Sequence, residues 1–164
     1  MRNKTILAID AGNVQSGYVI MDALTYKPLE HGKTINAEIL DIISRKPHVD
    51  VVVLEMVAHY GTGMPAGATV FDTCVWIGRF TQAAAQCGIH VERIYRREEK
   101  IAICGSMKAK DANIRQALID RFATTQSGKG TKKNPDFFYG FAADAWQAYA
   151  CGVAWIDKGK GELI

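Results

Sequence analysis

Thr5-Ile6-Leu7-Ala8-Ile9-Asp10-Ala11-Gly12 is the stretch on which the reading of this chain turns. Residues of little polarity run straight into a carboxylate, a small residue and a glycine. A continuous apolar run of this length predicts a strand covered on both faces, and an aspartate at its end is costly to desolvate unless something neutralises it. Ser16 to Asp22 (SGYVIMD) predicts a second strand, with Gly12 to Ser16 as a hairpin turn carrying glycine and asparagine where positive φ is tolerated. Further along, Val49-Asp50-Val51-Val52-Val53-Leu54-Glu55-Met56 repeats the pattern: a β-branched run that ends in an acid. A structural carboxylate usually has a cation beside it, yet neither Asp10 nor Glu55 has an Arg or Lys within five positions in sequence. Two such strands favour a shared cation site over two solvated turn acids.

Around these strands the chain alternates. Tyr26 to Thr34 predicts an edge strand that tolerates Lys27 and Pro28. Asn36 reads as the N-cap of a short helix with Ile39, Leu40, Ile42 and Ile43 on its apolar face, ending before Pro47. The glycine-rich stretch His59 to Gly67 follows Glu55 and is placed to hold substrate, a plain connection being the alternative. Thr69 to Cys87 predicts a helix apolar over a wide arc, enough for both the sheet and a second subunit. Gly88 to Tyr95 alternates as a strand. Asp111 to Phe122 carries Ile114, Leu118 and Phe122 at helical spacing. Thr124 to Pro135 (TTQSGKGTKKNP) predicts a basic loop, mobile until an anion orders it. A last helix is expected from about Phe138, with Phe138, Phe141, Ala142, Ala145, Tyr149 and Val153 as its core face and Asp144 on its shoulder.

The 164 residues suit one domain, residues 1–164, with its own core. No apolar run approaches the ~20 residues of a membrane span. Met1-Arg2-Asn3-Lys4 leads into the first strand without the pattern of a secretory signal, so a cytoplasmic location is expected. Cys74, Cys87, Cys104 and Cys151 are scattered and read as small buried residues in a reducing compartment. Net charge is only +3, but His90 to Lys133 carries 11 Lys and Arg against 5 Asp and Glu, whereas the rest carries 9 against 12. That asymmetry points to a polyanionic partner.

Asp10, Glu55 and Asp144 would come from two strands and a late helix. Hard divalent cations such as Mg²⁺ take carboxylate oxygens and keep waters that phosphate oxygens can replace. Two ions would clamp the attacking water and the leaving oxygen of a phosphodiester, with a basic surface holding the remaining backbone. No cysteine, serine or histidine nucleophile is required.

The order of elements resembles the RNase H-like fold, an α/β architecture with a five-stranded mixed sheet flanked by helices. Within it the chain is similar to RuvC-type Holliday junction resolvases, most closely the phage-encoded branch. Asp10 in LAIDAGNVQSGYVI, Glu55 in VVVLEM and Asp144 in GFAADAWQAYA match the family's acid positions, and IGRFTQAAAQCGIHVERI its dimer helix and fifth strand. Lys100 precedes Gly105 at the spacing of a basic residue near the family's active site. The resemblance implies a homodimeric Mg²⁺-dependent endonuclease acting on branched DNA, with two ions held by the three acids and Mn²⁺ as a substitute. Phosphate contacts would come from Arg93, Arg96, Arg97, Lys108, Lys110, Arg115, Lys129, Lys132 and Lys133.

The chain departs from the family at three places. The fourth acid or histidine three residues before the last aspartate is here Phe141. Asp111 stands where many relatives have lysine, so it is either a fourth ligand or the site works with three acids. The aromatic wedge three residues after the strand acid is replaced by Ala58, which leaves Tyr60 or His59 for that task. Two rivals stay open: a non-catalytic RNase H-like DNA-binding scaffold, and an actin-like kinase, whose phosphate-binding turn DAGNVQSG resembles but which needs a second domain.

Overall fold

The computed structural model describes residues 3–45, 48–58 and 67–159. Five strands form one mixed sheet: β1 (Thr5–Asp10), β2 (Gln15–Asp22), β3 (Pro28–Ile35), β4 (Val51–Met56) and β5 (His90–Tyr95), in the order β3-β2-β1-β4-β5. The first three are an antiparallel meander, while β4 and β5 run parallel to β1 and to each other. The apolar runs of β1 and β4 therefore fall at the centre. Successive side chains alternate between faces. Ile6, Ala8, Val51 and Val53 join one core, and Leu7, Ile9, Val52 and Leu54 the other.

Helices α1 (Asn36–Arg45) and α2 (Ala68–Gln86) cover the second face through Ile39, Ile43, Ile77, Phe80 and Ala84. Helices α3 (Arg96–Cys104), α4 (Asp111–Phe122) and α5 (Ala143–Asp157) cover the first. α5 is buried along nearly its whole length, from Ala145 to Trp155. Its small residues let it lie close to the sheet: a Cβ on Gly152 would fall 2.5 Å from the Met21 sulfur. No described helix is long and apolar enough to cross a membrane.

Several expectations are corrected. The last helix begins at Ala143, not near Phe138. The chain turns through Gly140 at positive φ, and Phe138 and Phe141 enter the core from that turn while Ala142 stays exposed. The nine-residue helix α3 lies where the sequence shows mainly charge. Asn36 does not cap its helix; its side chain is buried against the β1–β2 turn. The Thr124–Pro135 segment has ties of its own that its sequence does not show: the Asp136 carboxylate accepts the backbone N–H groups of Thr124 and Thr125, and Gly130 bridges Pro135. Of the cysteines only Cys151 is fully buried, and Cys87 is exposed.

Candidate active site

The sheet register builds a row of functional groups. Lys33 lies opposite Gly17, and Gly17 opposite Asp10. Ile9 pairs with Leu54, so the next step sets Asp10 beside Glu55. The side chains of this row face α5, as do those of Ala8 and Val53 two residues earlier. Gly17 matters because α5 begins above it: a Cβ there would lie 2.6 Å from the Asp144 carbonyl oxygen and 2.8 Å from its Cβ. The missing side chain admits the first turn of α5 and brings Asp144 over the sheet near Asp10.

The turn after Asp10 is fixed from beneath. The Gly12 N–H donates to Ser16 Oγ at 3.2 Å, Ser16 Oγ donates to Asn36 Oδ1 at 2.6 Å, and Asn36 Nδ2 donates to the Gly12 carbonyl at 2.9 Å. Ser16 and Asn36 are both buried, so this closed loop is shielded from water and holds the end of β1.

Asp10 and Glu55 share a hydrogen bond and resist ionising together. Burial first, and then the negative charge of Asp144, push Asp10 up to about 6. Burial and the charge of Asp10 push Glu55 up to about 7. Arg96 supplies the largest opposing influence on both. It approaches from the first turn of α3, where Nη1 donates to Glu99 Oε2 and Nη2 to Asp111 Oδ1. Glu99 has no solvent exposure, and among the described residues its Oε1 has no hydrogen-bond partner. Burial and the charge of Glu55 raise its proton affinity despite the guanidinium. At the other end of the row, Lys33 Nζ lies 3.1 Å from Asp144 Oδ2, both side chains partly exposed.

The structure thus joins Asp10 to Glu55 and puts Asp144 close enough for its charge to act on Asp10. It leaves Asp144 in an ion pair with Lys33 and Asp111 in one with Arg96. Among the described residues, no three His, Cys, Asp or Glu side chains are gathered closely enough to hold an ion. Lys100 is half-buried on α3; Arg97, Lys108, Lys110 and Arg115 are exposed on α3, α4 and the turn between them. Arg115 also lies over the Trp146 ring. Lys132 and Lys133 are exposed and Lys129 is half-buried on the fastened loop. Arg93 extends to Thr81 of α2, on the opposite face of the sheet from the acids. His59 and Tyr60 lie outside the described residues. Lys33, Glu99 and the inward turn of Arg96 escape the sequence reading. The i,i+3 spacing of Arg96 and Glu99 is visible in RREEK, but not that the glutamate is buried.

The chain matches Thermus thermophilus RuvC with a TM-score of 0.69 at 15% identity, covering 95% of each chain. It matches T. thermophilus RuvC in complex with Holliday junction substrate with a TM-score of 0.68 at 14% identity, over 96% of this chain and 95% of that one. The chain has a RuvC-like fold. No family model and no curated protein matches the sequence. In this RuvC-like frame, the chemistry of the donor set fits a hard divalent cation: two adjacent, half-buried carboxyls that disfavour each other's charge would be relieved by one. Asp10 and Glu55 would hold the ion, and Asp144 would join them on leaving Lys33.

Proposed function

We propose that this chain is a Mg²⁺-dependent, structure-selective DNA endonuclease that hydrolyses phosphodiester bonds in branched DNA, four-way junctions above all. In this reading residues 1–164 form one nuclease domain that works as a homodimer. The observation that carries it is the pairing of the Asp10 and Glu55 carboxyls at the ends of neighbouring parallel strands, in a fold like that of a protein solved with a Holliday junction.

Asp10, Glu55 and Asp144 would hold two Mg²⁺ ions, or Mn²⁺ in their place. When bound, the ions supply Lewis-acid activation of the attacking water and charge neutralisation at the leaving oxygen. The chain's own residues do the rest. The Gly12–Ser16–Asn36 loop fixes Asp10. Gly17 sets the height of Asp144. Lys100 lends positive charge near the scissile phosphate. Lys108, Lys110, Arg115, Lys129, Lys132 and Lys133 contact backbone phosphates, which position DNA without reading sequence. Tyr60, by its place after Glu55, stacks on an unpaired base at the branch point.

Incubation of labelled four-way junction, flap and linear duplex with Mg²⁺, with Mn²⁺ and with EDTA tests the reading, with ATP turnover measured alongside. Metal-dependent incision of the junction is expected, abolished in Asp10→Asn, Glu55→Gln and Asp144→Asn, each of which keeps junction binding. The Lys33–Asp144 ion pair favours a second reading, a non-catalytic DNA-binding scaffold. A junction bound but left uncut under both metals would select it, and ATP turnover without incision would discard both.

A further inference from the structure

Arg96 has two unlike partners. Its guanidinium is held on one side by Glu99, which is wholly buried and has one carboxyl oxygen without a hydrogen-bond partner among the described residues. On the other side it is held by Asp111, whose side chain is 69% exposed at the first residue of α4. A buried carboxyl with an unmet oxygen is unfavourable, and it anchors nothing in the core except this guanidinium. With Nη1 tied to Glu99, the planar fork is fixed and its Nη2 edge faces the surface. The group resting on that edge is an exposed carboxylate. It is the one acid between Lys100 and Ile119, a stretch that also contains Lys100, Lys108, Lys110 and Arg115.

We propose that Arg96 is a binding site for one DNA backbone phosphate and that Asp111 masks it in the free protein, to be displaced when the phosphate arrives. The proposal rests on the nucleic-acid reading above but not on the nuclease step. An arginine with one edge anchored and the other held only by an exposed carboxylate suits a phosphate oxygen, which is a charge-assisted acceptor like the carboxylate it replaces. The site also lies at the start of α4, where backbone N–H groups favour an anion of either kind. Asp111 is thereby a competitor for Arg96 and not a fourth metal ligand. Arg96 is the one cation in the basic region held both by a buried acid and beside Asp10 and Glu55, so the phosphate it takes is one close to the acids.

The test is junction affinity in EDTA, where no cleavage intervenes, for the unmodified protein, Asp111→Asn, Arg96→Met with Glu99→Gln, and all three changes together. Arg96→Lys, with and without Asp111→Asn, serves as a second background in which the core charge is kept and the fork is lost. Asp111→Asn is expected to tighten binding about two- to fivefold, the range of a partly exposed ion pair, with the log–log salt slope little changed because the same phosphate is neutralised in both proteins. In both altered backgrounds the gain should shrink by at least half. An equal gain in every background would reduce Asp111 to a general repulsive charge and overturn the proposal. So would weaker Mn²⁺ binding by Asp111→Asn in DNA-free calorimetry, which would make it a ligand. A protein that binds junctions without cutting them would refute the nuclease reading, while the affinity comparison would still decide the mask.

Discussion

Asp10 and Glu55 give the free protein an unusual dependence on pH. Their folded pKa values lie above those of ordinary carboxyls, so the native state binds their protons more tightly than the unfolded chain does. The stability they contribute is whole below about pH 4 and is lost as pH rises through the 6 to 7 range; Glu99, pushed up to about 9, acts in the same sense at higher pH. Glu55→Gln should therefore be more stable than the unmodified protein at pH 8, by on the order of 2 kcal/mol, with the gap closing at pH 5. Thermal melts at the two pH values check this, and a variant less stable at pH 8 would refute the repulsion. Added Mg²⁺ should raise the pH 8 melting temperature of the unmodified protein and leave that of Glu55→Gln nearly unchanged. Asp10 and Glu55 were legible in sequence because each ends an apolar run, and a run of that kind announces burial. Glu99 was not, because it sits among charges in RREEK and its burial is created by packing between α3 and α5. Lys33 lies on an edge strand far from the basic region, and only the register Lys33–Gly17–Asp10 brings it to the acids.

At the scale of elements, α5 controls the site through one glycine beneath it, Gly17, and one of its own, Gly152. At Gly17 an added methyl meets backbone of α5, which cannot give way locally, whereas at Gly152 it meets chiefly the flexible Met21 side chain. Gly17→Ala should thus cost about 1–3 kcal/mol in overpacking and cut the incision rate more than its stability loss explains, because Asp144 is lifted with its helix. Gly152→Ala should cost stability and spare the rate of the folded fraction. Equal rates in the two variants would mean that the height of Asp144 is unimportant. β1, β2 and β4 were readable because their runs are short, apolar and bounded by turn residues, whereas β3 and β5 showed only the mixed and alternating patterns of strands near the sheet edges. The start of α5 was not: Phe138 and Phe141 continue its apolar period, but Gly140 at positive φ and the bond from Phe138 N–H to the Gly128 carbonyl hold them in a turn. The fastened loop was likewise hidden, since its anchor, Asp136, follows the polar stretch as one more acid.

Across the whole molecule, the two faces of the sheet carry different tasks. The acids and most exposed cations of the basic region lie on the α5 side, so Lys132→Ala with Lys133→Ala should weaken junction binding and flatten the log–log salt slope by up to about two units, as measured by titration at several salt concentrations. The opposite face is closed by α2, whose inner residues Ile77, Phe80 and Ala84 are buried while Phe71 and Val75 are each 61% exposed. The wide apolar arc read from the sequence is thus two surfaces, one spent on the sheet and one open. Ile77 belongs to the first, so Ile77→Glu would unfold the protein and say nothing about assembly. Phe71 and Val75, one helical turn apart, belong to the second. A four-way junction has near two-fold symmetry and needs two matched cuts, which a two-fold dimer joined along this stripe would supply. Phe71→Asp with Val75→Asp should leave the fold intact and give monomers in sedimentation, and the paired incisions of a junction should separate into independent nicks. A monomer in the unmodified protein at concentrations that support paired incision would refute this assembly, and the symmetry of cutting would then have to come from two chains meeting only on the DNA.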